Sequence, residues 1–176
     1  MRILNIGCGK DKYGTDFVDV YPSRPEVLKF DADVDRLPYD DNTFEMVYSG
    51  NMFEHLTTPS NFFKEVYRVL QPHGELELIT DNASFILYAL NHHRYEPSKE
   101  NDNHYFLFTE HHLKNWCKKF GFVCVFTSYE RAPIDTDFSH LGVIFRFPRG
   151  CLMRLLPEEL GAGHIRLIAY KGFEDV

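Results

Sequence analysis

The stretch Met1-Arg-Ile-Leu-Asn-Ile-Gly-Cys-Gly-Lys10, continued by Thr15-Asp-Phe-Val-Asp-Val20, decides the fold. Ile3, Leu4 and Ile6 make a short apolar run that breaks at Gly7-Cys8-Gly9, which predicts a buried strand opening into a glycine turn. Gly14 closes the loop, and Phe17-Val18-Asp19-Val20 predicts a second strand with a carboxylate at its end. Strand, glycine turn, strand and acid form the layout of a site for an adenosine-containing ligand, placed beyond the carboxyl ends of strands in an open α/β sheet. A dinucleotide fingerprint is disfavoured. It needs a third glycine where this chain has Lys12, and an acid about 20 residues further on. Lys10 to Asp16 is also too short and too polar for a crossover helix.

Working outward, Val27–Phe30 predicts a third strand, and Phe44 to Tyr48 a fourth that ends at Ser49-Gly50. Ser60 to Leu70 predicts an amphipathic helix capped by Ser60, with Phe62, Phe63, Val66, Val69 and Leu70 on its buried face. Gln71-Pro-His-Gly74 stops it, and Glu75–Thr80 predicts a fifth strand ending at Asp81-Asn82. Ala83–Leu90 reads as helical and residues 91–103 as a loop. A further helix starts at Thr109 and stops at Gly121. Phe122–Phe126 and His164–Tyr170 are the last two strands. The segment 131–163 between them is long for a connection and is expected to fold as an insertion or an acceptor-side segment. The fold class is therefore α/β, a mostly parallel sheet reduced between its first two strands, in one domain over residues 1–176.

The 176 residues carry a formal net charge of −7 with a pI near 5.7, which argues against a nucleic-acid backbone as the main partner. No apolar run reaches the length of a membrane span, and Met1 leads straight into a strand, so a cytoplasmic protein is expected. The cysteines at 8, 117, 124 and 151 form no C-x-x-C pair, and reduced thiols are expected. No metal site is expected. His92-His93, His104 and His111-His112 could gather at one end of the sheet, but adjacent histidines on a helix point apart and no H-x-x-x-H spacing occurs.

Pro38-Tyr-Asp-Asp-Asn-Thr-Phe-Glu-Met-Val-Tyr-Ser-Gly-Asn-Met-Phe-Glu-His-Leu56, together with Leu4-Asn-Ile-Gly-Cys-Gly9, resembles the motifs of compact class I S-adenosylmethionine-dependent methyltransferases. Glu45 stands where that pattern has Asp, and His73 where a Lys-Pro-Gly-Gly turn has its first Gly. The resemblance implies a Rossmann-like doubly wound sheet of seven strands, order 3-2-1-4-5-7-6, with the seventh antiparallel. It implies S-adenosylmethionine as cofactor and S-adenosylhomocysteine as product. Gly7, Cys8 and Gly9 would present backbone to the methionine portion, with Asn5 beside them. Asp19 and Val20 would meet the ribose, Asp33 and Val34 the adenine (Asp31 as fallback), and Ser49 and Gly50 the sulfur end.

On the acceptor side, His55 has a pKa range suited to proton transfer; the other reading is a histidine packing the first turn of a helix. Asp81 is either ligand-facing or a helix cap, and His104 is a weaker substrate contact. The aromatic residues Tyr95, Tyr105, Phe106 and Phe108 either line an acceptor pocket or anchor the core. The expected function is transfer of a methyl group to a small molecule, with a homodimer possible. The alternative is a non-catalytic nucleoside- or partner-binding module of the same fold.

Overall fold

In the computed structural model, which describes residues 1–85, 104–130 and 157–172, seven strands are present: Ile3–Ile6 (β1), Asp16–Asp19 (β2), Val27–Lys29 (β3), Phe44–Gly50 (β4), Leu70–Asp81 (β5), Phe122–Glu130 (β6) and His164–Lys171 (β7). They form one sheet in the order β3-β2-β1-β4-β5-β7-β6. The first five run parallel, and β7 is antiparallel to both β5 and β6. The order is the one the sequence motifs implied. The parallel pairing brings the carboxyl ends of β1 to β5 to one edge.

Pro59–Val69 (α1) and Glu110–Lys119 (α2) cover one face of the sheet. Phe62, Phe63, Val66 and Val69 of α1 and Leu113 and Cys117 of α2 join Leu4, Val47, Leu76, Leu78 and Leu167 in a continuous core. The strand period of two is plain in β7, where Ile165, Leu167 and Ala169 are buried and the residues between them are not. Phe63 stacks on Trp116 at 5.9 Å and on Phe120 at 5.8 Å, which fixes α2 against α1.

The ends of α1 differ from the expectation. Pro59 occupies the first helical position, where its missing N–H costs nothing, so Ser60 lies inside the helix and caps nothing. The helix stops at Val69 and β5 begins at once. Gln71–Gly74 is a bulged start to that strand, with His73 at φ 64° and a register shift opposite Phe44 and Met46. Helix α2 does start at Thr109 and stop before Gly121, which takes φ 84°. His112 completes its capping box: Thr109 Oγ1 accepts the His112 N–H, and His112 Nδ1 accepts that of Thr109.

No helix occurs between Ile6 and Phe44, so the reduction expected between the first two strands extends to the next two connections. Arg68 takes over part of the absent packing. It donates to the carbonyls of Leu37 and Tyr39 at 3.0 and 2.8 Å, to Asp41 at 2.8 Å and to the buried Glu65 at 2.7 Å. Glu65 in turn accepts the Leu37 N–H at 2.9 Å.

Of the 131–163 segment, residues 131–156 lie outside the described residues. Glu158–Gly161 forms a single helical turn (α3), held by Asn82 Nδ2 donating to the carbonyls of Glu159 and Ala162. Residues 86–103, which include the expected helix end, the 91–103 loop and Tyr95, are likewise outside. Among the described residues, no helix is long and apolar enough to cross a membrane. Cys8 and Cys117 are buried free thiols, and burial pushes the Cys117 thiol up to about 12.

Candidate active site

The glycine turn after β1 has the geometry its composition predicts. Gly7 and Gly9 take φ 71° and 53°, and a Cβ on Gly7 would lie 2.3 Å from Met52 Cγ. Asp19, at the tip of β2, accepts the Gly9 N–H through Oδ2 and the Tyr21 N–H through Oδ1, both at 2.8 Å. Each oxygen keeps a lone pair for a further donor. The link from β1 to β2 is locked from several sides. Asn5 is buried and donates to the Tyr13 carbonyl at 2.9 Å and to Asp11 at 3.3 Å, so its amide is committed to the loop. Arg24 donates to the Asp11 carbonyl at 2.7 Å while lying over the Phe17 ring. Ser23 Oγ donates to the Gly9 carbonyl. Cys8 is buried beside this turn, and burial, with the Asp19 charge next, pushes its thiol up.

Asp33 already has partners within the protein. Its Oδ2 accepts both the N–H and the hydroxyl of Thr57, at 3.0 and 2.7 Å, and its Oδ1 accepts the Thr58 N–H. The Val34 N–H donates to the Asp31 carbonyl at 3.2 Å. Both groups that were expected to meet adenine are thus engaged within the protein, joining the loop after β3 to the entry of α1. Asp31 accepts the Asp33 N–H through Oδ1 only. The Val34 and Val20 side chains are exposed. At the tip of β4, the buried Ser49 donates to the Ile6 carbonyl at 3.0 Å, tying β4 to β1 beneath the turn. Gly50 is followed by Asn51 in the left-handed region, at φ 51°.

A second cluster forms beyond β4 and β5. Phe53–His55 is a single 3₁₀ turn with Phe53 fully buried. Glu54 is 2% exposed, and its carboxylate accepts the Thr80 hydroxyl at 2.8 Å. Desolvation pushes its pKa up. The Glu54 carbonyl accepts the N–H groups of Tyr105 and Phe106, which brings His104 over the turn. The rings of His55 and His104 meet edge to face at 4.6 Å. Asp81, at the tip of β5 and 5% exposed, lies 2.9 Å from His104 Nδ1 and 3.5 Å from His164 Nε2. The register of β5 with β7 places His164 directly across from it.

His55, Asp81 and His104 are therefore brought together, and Glu54 and His164 join them. Neither of the last two was singled out from sequence. Glu54 lies in the Phe-Glu-His-Leu56 motif without being picked out from it, and His164 meets Asp81 through a pairing about 80 residues apart, which no local spacing reveals. Phe106 and Phe108 contribute to a depression of about 370 Å³ against Trp116 and Lys119 on α2, which no strand tip lines.

The sequence comparisons bear on the same region. Residues 4–78 match the model of a family described as "Methyltransferase domain". That stretch, less than half of the chain, is what resembles the family. It is 36% identical over 76 residues to demethylmenaquinone methyltransferase of Chlamydia trachomatis, covering 40% of this chain and 33% of that protein. It is 40% identical over 59 residues to a ubiquinone/menaquinone biosynthesis C-methyltransferase of Desulfotalea psychrophila, covering 32% and 24%. The chain thus spans about a third or less of the length of these relatives. Its fold extends further. A SAM-dependent methyltransferase of Archaeoglobus fulgidus superposes with a TM-score of 0.65 at 18% identity, covering 97% of this chain and 86% of that one. One from Thermotoga maritima gives 0.66 at 20% identity, covering 97% and 82%.

Proposed function

We propose that this protein transfers a methyl group from S-adenosylmethionine to a small-molecule acceptor. The carrying observation is the left-handed Gly7–Gly9 turn tied through the Gly9 N–H to Asp19, at the carboxyl edge of a sheet ordered as in this family. Backbone there can approach the methionine portion without a Cβ intervening, and Asp19 has the lone pairs to accept ribose hydroxyls. Asp31 is better disposed than Asp33 to accept from the adenine amino group, because Asp33 already accepts three donors.

In the reaction, the acceptor atom attacks the sulfonium methyl in line with sulfur. The carbon–sulfur bond breaks, sulfur keeps the electron pair, and S-adenosylhomocysteine leaves. Alignment supplies much of the acceleration, since the donor is already activated. An acceptor hydroxyl or ammonium must also lose a proton, and the cluster of His55, Asp81 and His104 lies at the tips of the next two strands, beside the sulfur end. The demethylmenaquinone and ubiquinone/menaquinone biosynthesis methyltransferases among the relatives make an aromatic or enolic acceptor the first class to assay.

Calorimetry with S-adenosylmethionine, S-adenosylhomocysteine and NAD tests the reading. Binding of the first two but not NAD is expected, and binding of NAD alone would reject it. Donor turnover over a metabolite panel then distinguishes an enzyme from a binding module.

A further inference from the structure

Glu54, His55 and His104 each offer a ligand atom, and the three atoms lie within 4.8 Å of one another. They come from the 3₁₀ turn after β4 and from the chain that runs back over it, so the fold assembles them from positions about 50 residues apart. The surroundings fit a bound cation in two further ways. Asp81 Oδ2 lies 2.9 Å from His104 Nδ1, close enough for a small ring rotation to make the carboxylate–histidine hydrogen bond that fixes tautomer and ring orientation in metal sites. Thr80 holds the Glu54 carboxylate in place from below. The charge balance points the same way. Glu54 and Asp81 are both almost fully buried, and among the described residues no lysine or arginine pairs with either; the ion-pair partners of Asp81 there are His104 and His164. Burying two carboxylates is costly, and a divalent ion would offset that cost.

We infer that Glu54, His55 and His104 bind a divalent first-row transition-metal ion, with Asp81 orienting His104. Two imidazoles and a carboxylate suit Mn²⁺, Co²⁺ or Zn²⁺ better than Mg²⁺ or Ca²⁺, which prefer all-oxygen sites. Ligands at roughly 2.1 Å from an ion stand at most about 4 Å apart. The half-buried histidine rings therefore close by about an ångström on binding, with Glu54 as the fixed point. Three protein ligands leave a coordination position open, and on the methyltransferase reading an oxygen of the acceptor takes it. The ion then lowers the pKa of that hydroxyl so that its proton passes to solvent, and His55 serves as ligand rather than proton acceptor.

The test uses the full chain, free of a histidine tag and stripped with chelator, titrated with Co²⁺ by visible absorption and by calorimetry. One equivalent is expected to bind with d–d bands. Affinity should fall at least tenfold in His104→Ala, His104→Gln and Glu54→Gln, and about tenfold in Asp81→Asn. His111→Ala, on the exposed face of α2, should bind as wild type. Thermal melting and S-adenosylmethionine binding by the same variants report on folding. Absence of a stoichiometric site, or equal Co²⁺ affinity in folded His104→Gln, overturns the inference whether or not S-adenosylmethionine binds. Co²⁺ binding without S-adenosylmethionine binding sustains the metal site and rejects only the transfer reading.

Discussion

Asp33 accepts both the backbone N–H and the hydroxyl of Thr57, so a carboxylate in a cofactor motif fastens the loop after β3 to the start of α1. Asp33→Ala is expected to lower stability by about 1 kcal/mol, the cost of losing a partly exposed acceptor at the entry of α1. Asp31→Ala should instead weaken S-adenosylmethionine binding with little change in melting. Urea titration and calorimetry on the two variants separate the roles. The opposite pattern would return the adenine contact to Asp33.

Asp19 holds the glycine turn, and on the proposed reading the same carboxylate accepts the ribose hydroxyls. Asp19→Ala should weaken cofactor binding by at least tenfold, measured by calorimetry. His55→Ala should leave that affinity within a few-fold and slow turnover. Unchanged turnover would make His55 a packing residue.

Gly7 takes a left-handed conformation against Met52. Gly7→Ala carries the ~1 kcal/mol backbone penalty of that region and must also displace the Met52 side chain. A fall in thermal stability together with weaker cofactor binding is expected, and near wild-type values in both would show that the turn rearranges freely.

Arg68 and Glu65 bridge α1 to the helix-free segment between β3 and β4. Arg68→Met leaves the buried Glu65 carboxylate and the Leu37 carbonyl without their guanidinium, and should cost about 3 kcal/mol in chemical denaturation. Paired replacement with Glu65→Gln should recover part of that loss.

Glu110 is held down to about 2 by the Lys114 ammonium first, then by Thr127 and Tyr129. A carboxyl depressed in the folded state contributes stability above its ordinary value of 4.5, and that contribution disappears as pH falls from 4.5 towards 2. Glu110→Gln should flatten the stability profile in that window and lower stability at neutral pH. The group is partly solvated, so the measured change will be smaller than for a buried pair.

Strand positions were legible because apolar runs and glycine turns record them directly, whereas their order came only from the motif resemblance; Thr109 and Gly121 bracketed α2 by capping chemistry. The start of α1 was not, since Pro59 and Ser60 are both good helix openers and only the backbone shows which one serves. The role of Asp33 was hidden because an acid in a loop accepts equally well from a ligand or from amides 24 residues later. The cluster of Glu54, His55, Asp81, His104 and His164 has no periodicity of its own; parallel strand tips and one antiparallel register assemble it.

The nine residues from Gly7 to Thr15 join two adjacent parallel strands without a helix. Closing so short a tether loses little chain entropy, whereas β5 and β7 can meet only after a far longer stretch has been gathered in. The half of the sheet that carries the glycine turn and Asp19 is therefore the more local half. During folding it should acquire amide protection first, ahead of the strand pairing that sets His164 against Asp81.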